Sequence, residues 1–372
     1  MTTRRLTVVQ LLPALDAGGV ERSTLEIGAA LAAAGHRSIA ISAGGRLVGK
    51  LSAAGSEHIA LDIGRKSPAT LRHISTLGRL FEELHPDIVH ARSRLPAWIG
   101  WHALRRLRER RLHFVTTVHG LNSPGWYSAI LTRGERVICV SGTLRNYLLQ
   151  HYPQLDPARI VVIPRGVDPV EFPRDYQPDD EWRTRFRGEF PQLDGGLLLT
   201  LPGRGTRLKG HRDAIELLAS LRARDIDARL LLLGAREVGR EAYIAELETQ
   251  AAQRRVAAYL AITPPRSDVR EFYAISSLIL QLSNQPESFG RTVIEALALG
   301  RPVLGYAHGG VGELLYELYP AGAVAPGDTR TLLERALQLL HAAAPVETLT
   351  RYRLADMQAA TLRLYAEVAA QD

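Results

Sequence analysis

Cysteine occurs once in the 372 residues, at Cys139. A disulfide framework and a thiolate-held metal cluster are therefore excluded, and the usage fits a reducing cytoplasm. Lysine is scarce as well: apart from Lys50, Lys66 and Lys209, every basic side chain is arginine or histidine. No apolar run approaches the ~18 residues a membrane span needs. The opening "MTTRRLTVVQLLPALDAGG" imitates a signal peptide, but Gln10, Pro13 and Asp16 interrupt it, so a buried first strand is the better reading. Neither the GxGxxG dinucleotide pattern nor a GxxxxGK[ST] phosphate loop is present. What remains is 46% hydrophobic and 23% charged, a globular composition in a chain long enough for two cores.

Charge is unevenly placed. Residues 1–175 hold 23 Lys+Arg against 14 Asp+Glu, whereas the remainder is slightly acidic. A basic front half favours an anionic partner: nucleic acid, a phosphorylated saccharide or acidic lipid. Short β-branched runs ("LTVVQLL", "SIAIS", "DIVHA", "HFVTTV", "RVICV", "RIVVIP") alternate with amphipathic stretches, the pattern of buried parallel strands between helices. After Pro164 the proline-rich, acidic "GVDPVEFPRDYQPDDEW" breaks this rhythm and reads as a linker. The rhythm restarts with "LLLTLPG", "ARLLLLG", "VAAYLAI", "LILQLS", "RPVLGY" and "GAVAP". The expected fold is α/β, with two doubly wound Rossmann-like domains facing a cleft. Boundaries fall at 1–166, a linker over 167–180, and 181–349, with a final helix over about 350–372 returning to the first domain.

Three strand-to-helix loops carry candidate chemistry. In "PALDAGGVERSTLEIG", Gly18 and Gly19 turn the chain before a helix, so backbone amides can approach a phosphate; steric need alone also produces such turns. In "LPGRGTRLKGHRDAIELLASL", Arg204 and Lys209 place a guanidinium fork and an ammonium on one loop, which suits a diphosphate; solvated surface cations are the plain alternative. In "QPESFGRTVIEALALG", Glu287 precedes a helix start near Gly290 or Arg291 and Glu295 lies about one turn inside it. An anion at the helix start would leave the two carboxylates reaching opposite ends of one ligand, although acids near a helix start also gain from its dipole.

Together these loops resemble the GT-B fold glycosyltransferases of family 4. The match comprises the Glu-x7-Glu motif (Glu287, Glu295), the phosphate loop (Gly203, Arg204, Arg207, Lys209, Gly210) and the "GG-VE" first loop. Thr117, His119 and Gly120 match as well, as do "VICVSGTLRNYL", "RIVVIPRGVD" and "GRPVLGYAHGGVGELL", in order along the whole chain. The resemblance implies a retaining, metal-independent enzyme without a cofactor, whose donor is a nucleotide-diphosphate sugar, UDP- or GDP-linked. It implies that Arg204 and Lys209 hold the diphosphate with amides of Gly18, Gly19 and the run Ser288, Phe289, Gly290 and Arg291. Glu287 would contact the transferred hexose-type sugar, Glu295 the ribose, and His119 would lie near the sugar. The loop "LAITPPRSDVREF" would read the base.

For the acceptor side, Arg92, Ser93, Arg94 and Trp98 follow a strand of the basic half. The cationic "ALRRLRERRLHF" (103–114) suits an anionic membrane surface, or is simply a solvated helix face. With a glycan or lipid-linked acceptor, the resemblance points to lipopolysaccharide or surface-polysaccharide synthesis in the cytoplasm, at the inner face of the membrane. A nucleotide-sugar epimerase of the same fold and a non-catalytic sugar-nucleotide-binding homologue are the alternatives. Zinc spacing, RNP aromatics and a clear helix-turn-helix are all missing, so nucleic acid is not expected as a partner.

Overall fold

The apolar runs become parallel strands because each is short and covered on both faces, which leaves no room for polar alternation. A computed structural model describes residues 4–16, 18–107 and 112–370; positions 108–111 of the cationic stretch lie outside the described residues. The chain divides into two units, residues 1–165 with 354–372, and residues 166–353.

In the first unit seven strands pair in parallel: β1 (Thr7–Leu11), β2 (Arg37–Ser42), β3 (Glu57–Ala60), β4 (Ile88–Ala91), β5 (His113–Val118), β6 (Arg136–Cys139) and β7 (Ile160–Val162). Their order is β3-β2-β1-β4-β5-β6-β7, so the sheet winds outward in both directions from β1 and β4. Ligands of such sheets bind beyond the carboxyl ends of the strands beside that reversal. Strand β3 has no counterpart among the expected strands. Its "EHIA" sits at the sheet edge and is only partly buried, so it carries little apolar signal.

Leu354–Ala369 is the last helix and completes this unit. Met357, Leu364 and Tyr365 pack with Leu6, Val8, Ile27, Ile88, Val115 and Ile138 in one core. Tyr365 also places its hydroxyl 2.6 Å from Nδ1 of the buried His90, whose Nε2 lies 2.6 Å from the Thr117 hydroxyl. Burial holds His90 well below the ordinary imidazole range, with Arg92 and Arg165 acting the same way, so its two bonds are made by a neutral ring.

Six parallel strands build the second unit: β8 (Leu197–Pro202), β9 (Ala228–Leu233), β10 (Leu260–Ile262), β11 (Leu278–Gln281), β12 (Val303–Tyr306) and β13 (Ala323–Val324). They run in the order β10-β9-β8-β11-β12-β13. Its bounds differ from the expected 181–349, because the segment 167–180 folds as part of it. Phe172 is buried, and Val167 bridges to Arg353, so the proline-rich stretch is anchored by apolar and backbone contacts that its composition hides.

Candidate active site

Gly210 ends a short 3-10 turn, Arg207–Lys209, and opens the helix His211–Arg222. Its φ is +74°, and a Cβ there would lie 1.9 Å from the carbonyl oxygen of Leu282. Only glycine allows this loop to lie directly on the end of the next strand. Asn284 then fastens the two loops, its amide donating to Leu208 O (2.9 Å) and its side-chain nitrogen to Arg207 O (3.1 Å).

That fastening brings Lys209 Nζ to 2.6 Å from Glu287 Oε1. The Ser283 hydroxyl donates to the same oxygen. Both charged side chains are about a quarter exposed (25% and 27%), so the pair is partly desolvated yet reachable from solvent. Of the loop's three cations, Arg207 is committed elsewhere: it pairs with Glu246 at 2.5 Å and lies over the Tyr243 ring. Arg204 is exposed and makes no ion pair among the described residues. A loop that commits Arg207 to Glu246, and keeps the exposed Arg204 and the partly exposed Lys209 on the same turn, can receive an anion.

Glu287 is also gripped through its backbone. It bridges to Gly309, and its carbonyl accepts from the Gly310 amide at 2.7 Å. Gly309 has φ +58°, and Cβ atoms at Gly309 and Gly310 would stand 2.5 and 2.6 Å from the carbonyl oxygens of Glu287 and Ser288. Beside them His308 Nε2 lies 2.7 Å from Ser283 O. Ser283, His308 and the two glycines were not singled out from the sequence; the "HGG" that follows a strand was the available signal.

Gly290 stands before the helix Arg291–Ala298, as the spacing required, with Phe289 buried and Ser288 partly exposed in front of it. Glu295, in that helix, is 7% exposed, whereas Glu287 is reachable, so the two carboxylates occupy different environments. Two residues after Lys209, His211 is fully buried; burial pulls it down to about 4, and the Lys209 charge acts in the same direction.

In the first unit, Gly18 (φ +136°) caps the helix Gly19–Ala33, and a Cβ there would lie 2.6 Å from Oε2 of Glu21. His119 Nδ1 lies 2.6 Å from Arg165 Nη2. Arg92 corrects the sequence expectation: it does not line an acceptor surface. It is 2% exposed, donating from Nε to Gln10 Oε1 (2.7 Å) and from Nη1 to the Ser23 hydroxyl (2.9 Å). A guanidinium that follows a central strand in a doubly wound sheet can thus find its partners inside the unit, here through Nε and Nη1. Ser93 caps the next helix, and there Arg94 lies over the Tyr127 ring at 5.2 Å. Trp98 donates to Tyr127 O (3.0 Å) and meets Trp126, 77% exposed, edge-on.

Two families match in succession, Glycosyltransferase Family 4 over residues 17–171 and Glycosyl transferases group 1 over residues 183–353. The chain is 24% identical over 281 residues to the N-acetyl-alpha-D-glucosaminyl L-malate synthase of Bacillus anthracis, covering 73% of this chain and 70% of that one. It is 28% identical to the D-inositol 3-phosphate glycosyltransferase of Jonesia denitrificans over 60% of this chain and 56% of the other, so little more than half of that relative's length is matched. The crystal structure of a glycosyltransferase from Rickettsia africae superposes with a TM-score of 0.87 at 26% identity, covering 99% of this chain and all of that one. Anabaena HepE in complex with UDP-glucose shares the fold, with a TM-score of 0.79 at 18% identity over 98% and 100% of the two chains. The chain is a member of glycosyltransferase family 4, a glycosyltransferase built on the GT-B fold.

Proposed function

We propose that the second unit binds a UDP- or GDP-linked sugar and that the enzyme transfers its hexose-type sugar, with retention and without a metal, to a glycan or lipid-linked acceptor in lipopolysaccharide or surface-polysaccharide synthesis. The observation that carries this reading is the partly exposed Lys209–Glu287 pair, on two loops fastened by Asn284, with Arg204 left unpaired at the same loop. Lys209 has two further N–H groups to give to diphosphate oxygens, and Arg204 offers a fork. Amides from Ser288 to Arg291, at the start of a helix in the same unit, assist. Glu287 then accepts from the sugar's hydroxyls, and the buried Glu295 from the ribose.

The bond from the sugar's anomeric carbon to the phosphate oxygen breaks while the acceptor oxygen bonds that carbon on the same face. The acceptor's proton passes to the departing phosphate oxygen. The protein's task is to stabilise charge developing on the diphosphate, which fixed cations and amides do. Anabaena HepE, of the same fold, was solved with UDP-glucose, which supports this class of donor.

One observation favours a second reading of the acceptor as a small anion: the relatives described above are an N-acetyl-alpha-D-glucosaminyl L-malate synthase and a D-inositol 3-phosphate glycosyltransferase, and the first half of this chain is basic. Peripheral contact with anionic lipid on the cytoplasmic side is supported by the exposed Trp126 and by Arg105 lying over Trp101; among the described residues no helix is long and apolar enough to cross a membrane.

The experiment is a thermal-shift panel of UDP-, GDP-, ADP- and dTDP-sugars, followed by NMR of the product's anomeric centre in EDTA. Donor at 100 times its Kd should add about 2.7 kcal/mol. Inversion, a strict need for divalent metal, or isomerisation of the donor without an acceptor would each overturn the corresponding part.

A further inference from the structure

Arg165 is nearly buried and is held at both ends of its guanidinium. Nη1 donates to the Ser23 hydroxyl at 2.8 Å and lies 3.8 Å from Met357 Sδ, while Nη2 is 2.6 Å from His119 Nδ1. Ser23 is itself fixed, since it also accepts from Arg92 at 2.9 Å, and Arg92 is held in turn by Gln10. The guanidinium therefore reaches His119 from a rigid, buried base.

A guanidinium carries hydrogens on every nitrogen and has no acceptor. His119 Nδ1 must therefore present a lone pair to Arg165. A proton on Nδ1 would oppose N–H to N–H across 2.6 Å, and protonation of both ring nitrogens would in addition set an imidazolium against a guanidinium. The ring is neutral and its hydrogen sits on Nε2. We infer that Arg165 is a positioning residue that holds His119 as the Nε2–H tautomer, so that His119 donates a hydrogen bond to an oxygen of the substrate and takes no proton from it. The tautomer follows from geometry alone; the role toward substrate rests on the reading of His119 as a residue near the sugar. A histidine locked in this way is unsuited to be a general base, because Nε2 already carries hydrogen and Nδ1 is covered by a cation.

Histidine-labelled full-length protein decides the tautomer through long-range proton–nitrogen NMR, which distinguishes a bare from a protonated ring nitrogen. With 12 histidines in the chain, the His119 signals are assigned by their loss in His119→Gln. The wild type should show a bare Nδ1 and a protonated Nε2. Arg165→Met should give mixed tautomers, and Arg165→Lys, which keeps a donor, should restore the Nε2–H form in large part. In transfer assays Arg165→Met should lower kcat/KM about tenfold or more while the Kd of UDP alone stays within twofold, and Arg165→Lys should recover part of the loss.

A protonated Nδ1 in the wild type overturns the inference whether or not the protein transfers sugar. The expected tautomer with full activity in Arg165→Met would refute the positioning role. Absence of transfer by any form would instead count against the functional reading, leaving the tautomer decided by the wild-type spectrum. Should Arg165→Met fail to fold, the wild type and Arg165→Lys still decide both points.

Discussion

Replacing Lys209 with methionine keeps the side-chain stem and removes the ammonium that stands 2.6 Å from Glu287. Exposed ion pairs contribute ~0.2–1 kcal/mol, and stripping one partner from a buried pair costs ~3–5 kcal/mol. With both side chains about a quarter exposed, the pair lies between these limits, and Glu287 keeps the Ser283 hydroxyl as a partner. A stability loss of about 1.5 kcal/mol is expected, a fall in Tm of ~3–6 °C for a unit of this size. Glu287→Gln should offset much of it, because the double variant leaves no uncompensated carboxylate; strictly additive losses would show the pair to be uncoupled. Binding separates the functional question from the structural one. Loss of one charge-assisted bond costs ~1.5–3 kcal/mol, so UDP or GDP should bind ~10–150-fold more weakly by calorimetry, while the bare nucleoside should bind as before. Equal weakening of nucleotide and nucleoside would refute the loop as a phosphate site.

The two glutamates should part company. Glu295→Gln is expected to weaken free nucleotide by ~1.5–3 kcal/mol, whereas Glu287→Gln should spare it but slow turnover and blur discrimination between epimeric donors; matching losses of bare nucleotide would end the two-ended grip. His211, held near 4 by burial, takes up protons more readily unfolded than folded. Its contribution is complete above the unfolded value of 6.5 and is lost as pH falls from there towards 4, by roughly 3 kcal/mol at most. Urea melts of His211→Asn should be flatter than wild type across that window, and an unchanged slope would assign the acid sensitivity elsewhere. Cys139 is buried, and its thiol is pushed up to about 12. It should resist alkylation at pH 8 in the folded chain and react after denaturation, and rapid labelling of native protein would contradict that burial.

The winding of both sheets was legible because buried parallel strands need uninterrupted apolar runs, and every such run became a strand; β3 escaped because an edge strand needs none. Lys209 and Glu287 could be picked out as charged residues on strand-to-helix loops, but their ion pair could not, since it depends on Gly210 laying one loop on Leu282. The expectation that Arg92 faces an acceptor fails because a sequence shows the charge and not the Gln10 and Ser23 that hold it from within. Arg165 looked like one more arginine among many until folding brought His119 to it.

The last helix has a consequence for the order of events during synthesis. The first unit is split in the sequence, its final core residues Met357, Leu364 and Tyr365 arriving only after residues 166–353 have been made. A ribosome-bound chain that ends before Leu354 still exposes the apolar patch formed by Leu6, Val8 and Ile27, and His90 still lacks its tyrosine. The inserted unit, by contrast, closes on itself through the Val167 amide to Tyr352 O bond at 2.9 Å, which ties its two ends together. The unit that starts second is thus positioned to finish first, and by fixing its own ends it shortens the effective loop that the first unit must close.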